Sequence, residues 1–166
     1  MNPLATAAST QSAYELENLV KTYLNQETIE DYNIGNNQKT TVERTKNFDT
    51  LGQNIVFYGS NINIINNQKV PYTLKLNKKL DFAPYVSANY AQPTQYELFG
   101  TVLHGGGTGG GHYIAIVKDR INNMWYFYND SHRIKLSDDN ALKILTEHGS
   151  YGNFTFVLSF YRQKLP

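Results

Sequence analysis

The feature that most constrains this fold is a glycine run between two histidines. Six of the seven residues between His104 and His112 are glycine, and the chain continues directly into the apolar stretch "IAIVKD". Glycine adopts backbone conformations that other residues avoid, and it lets another chain approach the backbone closely. Strand-like segments adjoin the run on both sides, the first from Tyr96 to about His104. The run therefore predicts a loop between two strands, at a place where a ligand would contact the backbone.

The remaining sequence is typical of an α+β protein with a mostly antiparallel sheet. The 166 residues include 13 Tyr and 8 Phe, and this composition, together with short β-branched runs, favours sheet. Short apolar or alternating runs from Gln38 to Leu76 are separated by Asn-rich turns, as antiparallel strands would be. The segment "NFTFVLSFYRQ" predicts a closing strand.

Two short helices complete the predicted fold. The first is expected to start at Ser12, where Glu15 completes a capping box, and to continue through "QETIEDY". The second is expected over "DDNALKILTEH", with Ser137 as its N-cap and Gly149 just after its end.

Length, charge and hydropathy limit the classes of function. The length suits a single domain over residues 12–166, preceded by a disordered tail over residues 1–11. Lys and Arg (15) nearly balance Asp and Glu (14), so we expect no nucleic acid and no anionic membrane as a partner. No run of 18 apolar residues and no signal-peptide core are present, so we expect neither a transmembrane segment nor secretion.

The chain contains no cysteine. It therefore cannot supply a disulfide, a thiolate zinc site or a thiol nucleophile. His104 and His112 form only a weak metal-binding pattern, because no carboxylate lies between them. The glycine run is not a phosphate loop either, because no Lys-Ser/Thr pair follows its last glycine. We expect no metal and no cofactor.

The segment "HYIAIVKDRINNMWYFYND" predicts a hairpin with its turn near Ile121. Pairing about that centre places His112 opposite Asp130, with Asn129 as its diagonal neighbour, and opposed Cβ atoms lie about 5 Å apart. A carboxamide or carboxylate beside a histidine can fix the tautomer of the ring and stabilise an imidazolium. The same residues are compatible with an ordinary surface pair, and Trp125 is compatible with a place in the core.

The order of residues from 96 to 131 resembles the His box of the ubiquitin-specific protease family of cysteine deubiquitinases. That box has a Tyr-x-Leu-x-x-Val-x-x-His strand, a glycine-rich loop, Gly-His-Tyr, a Trp and an aromatic-Asn/Asp-Asp triplet. The matching positions are Tyr96, Leu98, His104, Gly111, His112, Tyr113, Trp125, Tyr128, Asn129 and Asp130. The resemblance implies the palm and fingers of a papain-like cysteine protease fold, with a fingers-like region over residues 12–90 and a palm over residues 91–166.

The resemblance also implies roles for these residues. His112 would be the general base toward a cysteine thiol, Asn129 would hold its imidazole, and Asp130 would add a second polar contact. The glycine run would line the cleft for the ubiquitin tail, which ends in Gly-Gly, so that side chains are excluded there. The residues implied in tail binding are His104, Gly105, Gly106, Gly107, Gly109, Gly110, Gly111 and Tyr113.

Two departures from the family pattern shape the functional hypothesis. Ile34 and Asn37 stand where the family's fingers often carry Cys-x-x-Cys, so no zinc is expected. The Cys box and the helical thumb that carries it are expected to be missing from this chain. The resemblance thus implies the C-terminal half of a deubiquitinase acting in the cytoplasm or nucleus on ubiquitin or a ubiquitinated protein, with a second polypeptide as a possible source of the Cys box. The alternative is a non-catalytic ubiquitin-binding module or scaffold.

Overall fold

A computed structural model describes residues 12–164 except 61, 64, 66, 71 and 149. The elements are β1 Ser12–Glu15, α1 Leu16–Leu24, β2 Glu27–Gly35, β3 Gln38–Arg44, β4 Asn54–Tyr58, β5 Ile62–Asn63, β6 Gln68–Lys69, β7 Tyr72–Lys75, β8 Lys79–Asp81, a 3-10 turn Ala83–Tyr85, β9 Gln95–Gly107, β10 Gly110–Lys118, β11 Trp125–Asn129, β12 His132–Leu136, α2 Asp138–Leu142 with a π-helical continuation Lys143–His148, β13 Ser150–Tyr151 and β14 Phe154–Gln163. None of the helices in these residues is long and apolar enough to cross a membrane.

The described part of the chain is organised around an eight-stranded sheet. Its main order is β12-β11-β10-β9-β14-β13, with β4 added on β14 and β8 on β9. All of these pairings are antiparallel. The predicted α+β class with a mostly antiparallel sheet is confirmed. Strand β9 lies between β10 and the C-terminal strand β14.

The core lies against the central strands of this sheet. Leu103, Ile116 and Phe156 are almost completely buried, and Leu145 of the second helical segment packs in the same cluster. Trp125 is also buried, which confirms it as a core residue. A rigid sheet of this kind fixes the ends of β9, β10 and β11 relative to one another.

Two buried tyrosines anchor β9 and β14 to the preceding segments. The Tyr96 hydroxyl donates to the Gly52 carbonyl at 2.7 Å, and the Tyr161 hydroxyl donates to the Asn77 carbonyl at 2.8 Å. Each bond satisfies a polar group that would otherwise be costly to bury. Burial raises the pKa of Tyr96 to about 12, so this hydroxyl keeps its proton and its role as a donor.

The start of the first helix differs from the prediction. Residues Ser12–Glu15 form a strand that pairs in parallel with β7, and the helix begins only at Leu16. The expected capping box is therefore wrong, and Glu15 makes no capping hydrogen bond with its side chain. Asn77, 60 residues away, accepts a hydrogen bond from the Glu17 amide at 2.9 Å instead. A long-range contact thus satisfies a free amide of the first turn.

The predicted first helix also ends too late. After Leu24 the chain forms β2, which pairs with β3 in a two-stranded ribbon, so "ETIEDY" is strand and not helix. Asn36 and Asn37 both have positive φ, +50° and +60°, as a tight two-residue hairpin turn requires. Most residues of this ribbon are exposed, so little apolar periodicity marks its strands.

The end of the chain follows the prediction more closely. Ser137 caps α2, because its hydroxyl accepts a hydrogen bond from the Asn140 amide at 3.2 Å. Strand β12 was not predicted, and it pairs along the edge of β11. The predicted role of Gly149 and the predicted tail over residues 1–11 lie outside the described residues. The division of the chain at residue 90 stays a prediction.

Candidate active site

The glycine run is a hairpin and not the expected loop. Strand β9 continues to Gly107 and β10 begins at Gly110, and only Thr108 and Gly109 form the turn between them. The pairs are Gly107 with Gly110, Gly106 with Gly111, Gly105 with His112 and His104 with Tyr113. Glycine weakens strands because it has no side chain to pack, but its backbone pairs normally here. The hairpin carries His112 on a sheet of fixed register.

The side chain of His104 explains why position 111 is glycine. A Cβ atom at Gly111 would lie 2.1 Å from His104 Nε2 and 2.3 Å from the Gly105 carbonyl oxygen. Gly106 has φ of +111°, and a Cβ atom there would lie 2.7 Å from the Gly111 Cα. A Cβ atom at Gly105 would meet the Phe154 ring at 2.9 Å. These three glycines are required by the packing of the protein itself.

The other three glycines of the run have open space around them. A Cβ atom at Gly107, Gly109 or Gly110 would meet no described heavy atom within 4 Å. The six glycines of the predicted tail-binding set therefore fall into two groups with different structural roles. The internal part shapes the hairpin, and the open part, next to the turn, leaves the backbone accessible.

The structure brings His112 and Asn129 together across the end of the sheet. Ala115 pairs with Tyr128 in the β10–β11 ladder, so the register is shifted by one residue from the predicted hairpin. His112 Nε2 nevertheless lies 2.5 Å from Asn129 Oδ1. The predicted proximity of these two side chains is confirmed, and Asn129 takes the position nearest to the ring.

This contact determines which ring nitrogen is free. Asn129 Oδ1 is a carbonyl oxygen and can only accept, so His112 Nε2 carries the proton and donates it. In the neutral ring Nδ1 then holds a lone pair and can accept a proton. The Phe154 ring meets the His112 ring edge-on, with 6.1 Å between centroids. The His112 side chain remains 42% exposed, so the ring is not sealed inside the core.

Asp130 lies near His112 but does not bond to it. The distance from Asp130 Oδ2 to His112 Nε2 is 3.8 Å, which exceeds the range of a hydrogen bond. The Asp130 side chain is 77% exposed, so water and salt screen its charge. Its position supports at most a weak electrostatic contribution to an imidazolium at His112.

His104 has a place in the site that differs from that of His112. Its ring stacks on Tyr113 with 4.6 Å between centroids, and its carbonyl accepts a hydrogen bond from Lys69 Nζ at 2.8 Å. Burial, and then the positive charge of Lys69, lower the pKa of His104. Both effects favour the neutral ring, which can lie close to the Lys69 ammonium group without charge repulsion.

Sequence reasoning missed two residues of the site. Phe154 packs against both Gly105 and His112, and Lys69 contacts the His104 carbonyl. Phe154 begins the predicted closing strand, so alternation alone could have placed it near the sheet end. Lys69 lies in an Asn-rich stretch without any motif, and no sequence signal indicated its contact.

The described residues contain no group of three or more His, Cys, Asp or Glu side chains that could hold a metal ion. The sequence has no cysteine. The site therefore holds an oriented imidazole beside an open backbone hairpin. These groups can accept and return a proton, but the chain lacks the thiol that a cysteine protease needs.

The sequence profile of one family, described as "Ubiquitin carboxyl-terminal hydrolase", matches residues 9–151. This match includes most of the chain and both residues of the His112–Asn129 pair. The chain belongs to the ubiquitin carboxyl-terminal hydrolase family, as the resemblance to the ubiquitin-specific proteases implied.

Individual relatives match a shorter part. Ubiquitin carboxyl-terminal hydrolase 47 of Xenopus tropicalis is 40% identical over 66 residues, which is 40% of this chain and 5% of the relative. Ubiquitin carboxyl-terminal hydrolase 5 of Arabidopsis thaliana is 40% identical over 63 residues, 37% of this chain and 7% of that protein. The chain thus spans a small part of the length of the relatives that it matches.

Solved structures extend the likeness to nearly the whole fold. The SAGA Ubp8/Sgf11/Sus1/Sgf73 DUB module bound to ubiquitin aldehyde contains a chain that matches with a TM-score of 0.67 and 20% identity. The match covers 93% of the present chain and 36% of that chain. A structure of the same module described without ubiquitin gives a TM-score of 0.63 at 19% identity, with 93% and 33% coverage. At this identity the likeness establishes the fold.

We expect the two kinds of glycine to respond differently to substitution. Gly111→Ala should destabilise the protein by about 2 kcal/mol, because the new methyl group collides with the His104 ring and a backbone carbonyl. Gly110→Ala is the matched control and should change stability by less than about 0.5 kcal/mol, because its surroundings are open. Urea denaturation of both variants measures this difference. Equal stability of the two variants would contradict the close packing at Gly111.

We expect His104 to make stability depend on pH. Because its pKa is lower in the folded chain than its ordinary value, the unfolded chain binds the proton more readily. Stability should therefore fall as pH decreases through the ordinary histidine range and toward the folded-state pKa. His104→Gln should lose less stability than the unmodified chain between pH 7.5 and 5.5. Urea denaturation at both pH values measures this, with exposed His148→Gln as control. An equal loss in the unmodified chain and in His104→Gln would contradict the assignment.

Proposed function

We propose that this chain supplies the general base and the ubiquitin-tail cleft of a thiol-dependent ubiquitin isopeptide hydrolase. The thiol comes from residues outside this sequence. The observation that carries the proposal is the His112–Asn129 contact of 2.5 Å, which orients the ring with its Nδ1 free. Family membership supports the reaction class. Because the sequence has no cysteine, the thiol is the group that residues outside it must supply.

The proposed reaction uses His112 as base and then as acid. His112 Nδ1 accepts the proton of the incoming thiol, and the thiolate attacks the carbonyl carbon at the end of the ubiquitin tail. The carbon–nitrogen bond breaks as the imidazolium returns its proton to the leaving amine. Water then attacks the resulting thioester as the same nitrogen accepts its proton, the carbon–sulfur bond breaks, and the proton returns to the departing thiolate. Asn129 holds the ring and stabilises the imidazolium throughout these steps.

The open side of the glycine hairpin suits an extended tail that ends in Gly-Gly. A Cβ atom at Gly107, Gly109 or Gly110 would point into open space, so a second backbone can approach closely on that side. Tyr113 is 61% exposed and is held by its stacking on His104. We assign tail binding to this open edge and a shaping role to Gly105, Gly106 and Gly111.

An apolar groove supports the idea that further protein covers this chain. The groove has a volume of about 440 Å³ and lies between α1 and the β4–β14 edge of the sheet. Its lining includes the exposed side chains of Leu19, Tyr23 and Tyr58. Exposed apolar surface of this kind often marks an interaction site. Most of the chain in the structural neighbour has no counterpart here, because the match covers 36% of it. We propose that the polypeptide bearing the thiol covers this groove.

A non-catalytic ubiquitin-binding module is the second candidate. The observation in its favour is the complete lack of cysteine, since binding through the glycine hairpin requires no nucleophile. The two candidates differ in whether His112 matters. A binder needs the hairpin edge but no base, whereas the enzyme half needs both.

Complementation tests the proposal directly. The chain is mixed with a polypeptide that carries the Cys-box region of a family member, and release of a fluorophore from the ubiquitin C-terminus is followed. We expect the mixture to hydrolyse the substrate and the chain alone to be inactive. His112→Ala should reduce the rate at least about 100-fold, because the base is lost. Asn129→Ala should reduce it less, because Asn129 acts through the ring, and Asp130→Ala should fall between no effect and the His112→Ala loss.

The control variant is His148→Ala, which removes an exposed histidine outside the site and should leave the rate unchanged. Equal rates for His112→Ala and the unmodified chain in an active mixture would contradict the assignment of the base. If no mixture is active but ubiquitin still binds in a way that Gly110→Val weakens, the non-catalytic candidate is correct.

A further inference from the structure

A lysine from a distant part of the sequence contacts the strand that leads into the glycine hairpin. Lys69 lies in β6, 35 residues before His104, and its Nζ donates to the His104 carbonyl at 2.8 Å. The Lys69 side chain is half-buried at this position. The contact joins the short β5–β6 hairpin to the last part of β9.

Ion pairing does not explain the position of this amine. No carboxylate of the described residues lies within ion-pair distance of Lys69. Burial lowers the pKa of Lys69, because the charged amine loses part of its solvation there. A hydrogen bond from a charged donor to a carbonyl offsets part of this cost and is stronger than a neutral one.

The residue that Lys69 contacts controls the geometry next to His112. The His104 ring occupies the space above the Gly111 Cα and stacks on Tyr113. Gly111 and Tyr113 are the two chain neighbours of His112. A shift of His104 would therefore move the packing on both sides of the proposed base.

We propose that Lys69 is a positioning residue for the glycine hairpin. His104 is paired with β10 and β14, and its carbonyl also accepts a longer hydrogen bond of 3.5 Å from Thr155 Oγ1. The Lys69 hydrogen bond adds to this support, so that the His104 ring stays over Gly111 and the hairpin keeps its paired form. The link from this geometry to tail binding rests on the proposed function, whereas the effect on the hairpin itself does not.

Amide hydrogen exchange of the isolated chain tests whether Lys69 stabilises the glycine hairpin. Lys69→Met keeps a long apolar side chain but removes the donor, and we expect exchange of the paired amides of Gly105–Gly111 to accelerate about tenfold or more. Lys69→Arg retains a charged donor and should restore exchange to within about threefold of the unmodified chain. The NMR signals of the His104 ring should shift in Lys69→Met, because its stacking on Tyr113 changes.

The matched control is Lys79→Met. Lys79 also contacts β9, through Glu97 at 3.8 Å, and its removal should leave exchange in the hairpin unchanged. The β11–β12 amides serve as an internal reference for global unfolding. The proposal is wrong if Lys69→Met leaves hairpin exchange unchanged, if Lys69→Arg fails to restore it, or if β11–β12 amides accelerate equally.

Binding of ubiquitin, measured separately by titration, distinguishes this proposal from the proposed function. We expect Lys69→Met to weaken binding about tenfold, with rescue by Lys69→Arg. The two proposals can fail separately. If hairpin exchange responds to Lys69→Met as expected but the unmodified chain does not bind ubiquitin, the positioning role is supported and the tail-binding function is wrong.

Discussion

The antiparallel pairing of β9 with β10 is the constraint on which the rest of the site depends. It places His112 opposite Gly105 and Tyr113 opposite His104, and the β14 strand supports β9 from the other side. The pairing brings two backbones so close at Gly106 and Gly111 that neither position has room for a Cβ atom. The internal geometry of the hairpin therefore requires glycine at these two positions of the run.

The proposed acid–base chemistry depends on the side chains of His112 and Asn129 at the end of this strand pair. Asn129 reaches the ring of His112 from β11 and accepts a hydrogen bond from Nε2–H, which leaves Nδ1 free to accept a proton. The adjoining hairpin edge is bare backbone at Gly107, Gly109 and Gly110. The chain thus places an oriented imidazole beside an open hairpin edge, and both depend on the same register. What it lacks is the thiol, since the sequence has no cysteine.

The sequence predicted those parts of the fold that local patterns determine. The alternation of apolar and polar residues predicted the strands around Tyr96, His112 and Trp125. The Ser137 cap was predicted because a serine hydroxyl can accept a hydrogen bond from an amide of the first helical turn. The His112–Asn129 contact followed from hairpin pairing, although the register differed by one residue. Long-range contacts explain the failures: β1 pairs with β7 across 60 residues and displaces the expected helix start. Lys69 could not be found either, because nothing near it in the sequence encodes a contact with His104.

The central claim is that Asn129 holds His112 with a free Nδ1. Nitrogen-15 NMR of the His112 ring, recorded on the neutral form in the unmodified chain and in Asn129→Ala, tests it most directly. The account predicts a proton on Nε2 and none on Nδ1 in the unmodified chain, and a mixture of the two tautomers in Asn129→Ala. A proton on Nδ1 in the unmodified chain, or the same tautomer distribution in both proteins, would contradict it.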